Sequence, residues 1–82
     1  MTAEAHVVDA RGLRCPLPVV RLAAAARVLG PDRVVHLLSD DPAAEVDVAA
    51  WCRMRGHTLV AQVHDEGHLR SEVRTAATAP AS

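Results

Sequence analysis

The sequence predicts an α+β protein, a two-layer β-α-β-α-β-β sandwich. Three observations carry this prediction. Two stretches repeat apolar residues at helical spacing, four others are short runs rich in Val, Leu and Thr, and clusters of Gly, Pro and Asp punctuate the chain between them. At 82 residues the chain is one small domain near the lower limit for a self-sufficient apolar core, which leaves no room for a separate cofactor-binding domain. Its apolar half is mostly Ala, Val and Leu, with one Trp and no Phe or Tyr, so the core is thin and built from small side chains, as two layers require.

Residues 6–10 form a short strand ending near Asp9, and Arg11-Gly12-Leu13-Arg14 turns the chain into the first helix. Pro16 is expected at the first helical position, where its missing N–H costs nothing. From there Val19, Leu22, Ala23, Ala26 and Leu29 recur as a core stripe until Gly30-Pro31 stops the helix. Residues 33–38 read as a central strand, closed by Ser39-Asp40-Asp41-Pro42. A second helix is expected to begin between Ala43 and Val48, with Asp47 as its N-cap, and to stop at Gly56 behind Arg53 and Arg55. Residues 58–63 and 68–73 flank Asp65-Glu66-Gly67 as a closing hairpin. The ends lack apolar periodicity, so the folded domain is expected over residues 6–74, with residues 1–5 and 75–82 as flexible tails.

Charge narrows the functional classes. All nine basic residues are arginine, and ten acidic residues bring the net charge to -1. That balance, with no aromatic residues for base stacking beyond one Trp, argues against direct nucleic-acid binding. With neither a membrane-length apolar run nor a charged-then-apolar leader, no membrane association is expected and a cytoplasmic location is the default. Two cysteines in unlike contexts, Cys15 at a turn and Cys52 within a helical pattern, make a structural disulfide an unattractive first expectation in a reducing compartment.

Cys15 carries the chemistry. Beside the N-cap of the first helix it would face unpaired N–H groups and the positive end of the helix dipole, with Arg14, Arg11 and Arg21 adding positive potential. Such surroundings lower a thiol pKa and favour a nucleophilic thiolate or a persulfide anion. Pro18, also in the first turn, stiffens the helix start together with Pro16. No Cys-x-x-Cys partner and no motif-placed His or Asn accompanies the thiol, so it is arranged to carry a group and not to cleave a bond.

The remaining candidates read more plainly. Cys52 shares a helix face with Val48 and Trp51 and is assigned to the core. Asp40 and Asp41, before a proline at a strand end, supply turn and capping acceptors or else a partner-recognition surface, and Asp9 has the same two readings through the Gly12 turn. Leu17, Val20, Ala24 and Val28 form a second apolar strip on the first helix, either packed on the second helix or exposed as a docking surface beside Cys15. His64 and His68 bracket the hairpin, but without ligand-like spacing neither a metal nor any other cofactor is expected.

Asp9-x-x-Gly12-x-x-Cys15-Pro16-x-Pro18, followed by Asp40-Asp41-Pro42-Ala43, Asp47 and Cys52, resembles the TusA (SirA-like) family of sulfur-carrier proteins, over nearly all of the folded region. The resemblance implies both helices on one face of a mixed four-stranded sheet. It also implies a sulfurtransferase in which Cys15 accepts sulfane sulfur as a persulfide from a cysteine desulfurase or rhodanese-like donor and relays it to an acceptor protein. Family acceptors serve tRNA thiolation, molybdenum-cofactor maturation or sulfur oxidation. The alternative is a non-catalytic regulatory protein-interaction module in which Cys15 is a packing residue.

Overall fold

A computed structural model of the protein describes residues 5–77. Its elements run β1 (His6–Asp9), α1 (Leu17–Leu29), β2 (Val34–Ser39), α2 (Pro42–Arg55), β3 (Thr58–Asp65) and β4 (His68–Arg74). The sheet order is β1-β2-β4-β3, with β1 parallel to β2 and the other pairings antiparallel. Parallel neighbours need a crossover, and α1 supplies it; the antiparallel β3–β4 pair needs only a hairpin. The mixed four-stranded sheet with two helices is the expected architecture.

Burial alternates along β2 and β4 as a half-covered sheet demands. Val35, Leu37 and Val73 are buried in one cluster with Leu22 of α1 and Val48 and Cys52 of α2, and Leu69 is buried as well. Cys52 is therefore a core residue. The opposite face carries Arg70, whose guanidinium pairs with Glu72 at 3.0 Å and reaches Asp65 at 3.8 Å.

Three local expectations need correction. Helix α1 begins at Leu17, with Pro16 as its N-cap and Pro18 buried in the first turn, because the turn from Arg14 to Leu17 uses Pro16 before the helix starts. Helix α2 begins at Pro42, and Asp41, not Asp47, caps it: Asp41 Oδ1 accepts the Ala43 N–H at 3.0 Å. Val46 and Met54 are 70% and 78% exposed, and these outward apolar residues blur the stripe of Ala44, Val48 and Cys52 that defines the buried face. Thirdly, Thr75 is no tail residue. It is buried, its Oγ1 accepts the Arg33 N–H at 2.8 Å and donates to Gly30 O at 2.7 Å. Ala76, also placed in the expected tail, donates its N–H to His57 Nδ1 at 2.9 Å, and residues 1–4 and 78–82 of the expected tails lie outside the described residues.

The hairpin closes more tightly than expected, with Asp65 and His68 already paired and only Glu66 and Gly67 in the loop. Both have positive φ, 47° and 84°, the type I′ geometry that glycine adopts without strain. Along β3 the register slips between Leu59 and Ala61, a bulge on an edge strand.

Candidate functional site

Cys15 lies in the loop between β1 and α1, and main-chain hydrogen bonds set the course of that loop. Ala10 N–H extends the sheet by donating to Leu38 O at 2.8 Å, and Leu13 N–H returns to Ala10 O at 3.2 Å. Gly12 has φ 83°, a conformation an L residue rarely adopts, and its N–H points to both oxygens of Asp40 at 3.0 and 3.1 Å. Cys15 N–H donates to Asp41 Oδ2 at 2.8 Å. The adjacent aspartates at the end of β2 thus clasp the loop at two points, and Asp41 joins it to the α2 cap. Of the two readings of Asp40 and Asp41, turn and capping chemistry is what the geometry displays.

The Cys15–Pro16 peptide bond is cis, and Leu17 N–H closes the turn onto Arg14 O at 2.9 Å. Cys15 therefore precedes the N-cap by one residue. Leu17 has spent its N–H on Arg14 and Pro18 has none, so two of the first three helical donors are withdrawn from the thiol.

The charges around the sulfur also differ from expectation. Arg11 is held by Asp9, its guanidinium making two hydrogen bonds of 2.9 Å to the carboxylate, while Asp9 Oδ1 also accepts the Arg11 N–H at 3.1 Å. That pairing keeps the Asp9 carboxyl down at about 2 and makes Asp9 the partner of Arg11. Arg14 acts on Asp41, whose carboxyl is lowered chiefly by the N–H groups of Cys15 and Ala43 and further by the Arg14 charge. Arg21 is exposed on α1 and is not among the groups that govern the thiol. Cys15 itself is half-buried, and burial, the Asp47 carboxylate and then the Asp41 charge push its thiol up to about 11. The expected electropositive nest is an acidic one. The Asp47 carboxylate of α2 contributes to that rise, and sequence adjacency to arginines gave no sign of it.

Leu17 and Val20 are 47% and 54% exposed, and Ala24 and Val28 are exposed further along α1. This strip does not pack against α2; it presents an apolar surface running away from the Cys15 loop. His64 lies 3.7 Å from Glu45. Among the described residues no three His, Cys, Asp or Glu side chains gather as a metal site, and no helix is long and apolar enough to cross a membrane.

A small α+β domain that offers one half-buried thiol at a clasped loop, beside an exposed apolar helix face, has the form of a carrier. Residues 6–75 match the family described as Sulfurtransferase TusA. The fold is also similar to the crystal structure of a SirA-like protein from Desulfitobacterium hafniense, with a TM-score of 0.77 and 25% identity over 85% of this chain and 96% of that one. The chain belongs to the TusA family, and a general sulfur-carrier role comes with that membership.

Proposed function

We propose that Cys15 is the sulfur-carrying residue of a cytoplasmic relay in which a cysteine desulfurase or rhodanese-like protein loads it and a downstream protein unloads it. In loading, the Cys15 thiolate attacks the terminal sulfur of the donor persulfide; a new sulfur–sulfur bond forms on Cys15 as the donor's breaks, and the donor cysteine leaves as thiolate. Unloading is the same displacement with the acceptor thiolate as attacker. No redox equivalent is consumed, and no cofactor is required. The observation that carries this reading is the position of Cys15, the one thiol outside the core, fixed by Asp41 in a loop flanked by Leu17 and Val20.

A thiol pushed up to about 11 is quiet in the free carrier. Activation then belongs to the complex, in which a cationic donor group facing Asp41 and Asp47 would offset their charge and release the proton. On this reading Leu17, Val20, Asp40 and Asp41 meet the partner, Gly12, Pro16 and Pro18 shape the loop, and Arg14 steadies Asp41. Arg11 and Asp9 hold each other at the start of the turn, and Arg21 borders the docking strip. Which of tRNA thiolation, molybdenum-cofactor maturation or sulfur oxidation receives the sulfur is decided by the acceptor.

The same raised thiol pKa favours a second reading, an interaction module that uses the α1 strip without chemistry at Cys15. Incubation with a desulfurase and cysteine, then with a rhodanese and thiosulfate, followed by intact mass and peptide mapping, separates the two. A reductant-labile gain of one sulfur atom on Cys15, absent in Cys15→Ser and retained in Cys52→Ser, is expected. No gain with either donor leaves the interaction module.

A further inference from the structure

The two helices end together at the side of the molecule away from Cys15; α1 alone separates that end from the loop by about 20 Å at ~1.5 Å per residue. Between the helix ends is a cavity of about 310 Å³, walled by Ala23, Ala26 and Arg27 of α1, Trp51 and Arg55 of α2, and His57. The size is that of a pocket for a small organic molecule.

The walls divide by chemistry. Ala23 and Ala26 make an apolar side, and the Trp51 and His57 rings, stacked with 4.5 Å between centroids and planes inclined by 30°, make an aromatic one. His57 is fixed in place because its Nδ1 accepts the Ala76 N–H at 2.9 Å. A ring that accepts at Nδ1 is neutral and carries its proton on Nε2 as a donor. Burial and the Arg55 charge both favour that neutral form.

Arg27 and Arg55 complete the rim. Arg11, Arg70 and Arg74 each have a carboxylate within 4 Å; among the described residues Arg27 and Arg55 have none. The helix dipoles account for a cation at each C-terminus. They do not account for both of these arginines lining one cavity with an aromatic wall.

We propose that this cavity binds a small organic anion with a flat apolar body, its ring against Trp51 and His57 and its carboxylate, sulfonate or phosphate at Arg27 and Arg55. Guanidinium forks suit such oxyanions, and a planar body suits the ring wall. The site stands independently of the sulfur chemistry, because it shares no residue with the Cys15 loop.

Trp51 is the chain's one aromatic residue among Phe, Trp and Tyr, so its fluorescence reports the cavity without background. The full chain is titrated with benzoate and benzenesulfonate, and with benzamide as the neutral counterpart. Saturable quenching by both anions is expected, with benzamide at least about tenfold weaker, as expected when a charge-assisted contact is lost. The double variant Arg27→Gln/Arg55→Gln should lose anion binding while keeping the wild-type melting temperature, whereas Arg53→Gln, outside the cavity, should bind like wild type. Ala26→Leu, which fills the cavity and keeps the arginines, should lose it too. An absent response, equal affinity for benzamide, or undiminished binding by the double variant or by Ala26→Leu overturns the proposal.

Discussion

Replacing Asp47 by asparagine keeps the size and hydrogen-bonding capacity of the side chain and removes one of the two negative charges that hold the Cys15 thiol protonated. With the thiol at about 11, roughly 0.1% is thiolate at pH 8, by the ordinary titration relation. A drop of about one pKa unit would raise that fraction about tenfold, while the weaker basicity of the new thiolate, with a Brønsted coefficient of about 0.5, gives back about threefold. The net expectation is an increase of about threefold in the rate of alkylation. The assay is iodoacetamide labelling across pH 7 to pH 11, in a Cys52→Ala background so that only Cys15 reacts, with the apparent pKa read from the rate profile. Arg11→Gln provides the contrast: Arg11 is already paired with Asp9, so the profile should not move. A wild-type midpoint at or below the ordinary thiol range, or a midpoint that Arg11→Gln raises and Asp47→Asn leaves alone, would refute the acidic-nest account.

Other substitutions and conditions test the rest of the scaffold. Asp41→Ala removes the α2 cap and the Cys15 N–H acceptor together and should lower the urea unfolding midpoint. Because the folded Asp41 carboxyl is lowered, the stability it contributes is present above the unfolded pKa of about 3.8 and is lost as pH falls toward the folded value, so Asp41→Asn should flatten the acid limb of the stability curve. The sign reverses on the alkaline side. Burial pushes Cys52 up to about 11 from 9.0, so the unfolded chain releases its proton first; stability should fall between these pH values by on the order of 2 kcal/mol, and Cys52→Ala should reduce that slope. Ser39 Oγ is buried with no hydrogen-bond partner, so Ser39→Ala should raise the melting temperature by a few degrees, reflecting recovery of about 1 kcal/mol; a lower melting temperature would show that the hydroxyl is satisfied.

The elements legible in the sequence are those whose patterns agree with their own termini. The α1 stripe through Leu22 ends at Gly30, and β2 ends at a run of turn formers, so both were readable to within a residue or so. Two prolines two residues apart both suit a helix start, and no local rule decides which precedes the helix, so the start was misplaced by one residue. For α2, Asp41 and Asp47 are both capable caps, and exposed Val46 and Met54 spread apolar residues around the helix. The Cys15 environment was the least legible part. Arg14 and Arg11 are near it in the chain, but their charges go to Asp41 and Asp9; the groups that set the thiol come from the end of β2 and from α2. Local sequence specifies the loop, and tertiary packing specifies its electrostatics.

The sheet has two edges, β1 and β3, and neither is an inviting template for another strand. β1 offers only four residues, and the slip after Leu59 breaks the ladder of β3. Short or bulged edges discourage main-chain pairing between molecules. A relay protein profits from that restraint: its partners must be met through side chains, by contacts that can be made and released within a transfer cycle, while copies of the carrier crowded together have no continuous backbone rail along which to zip into aggregates.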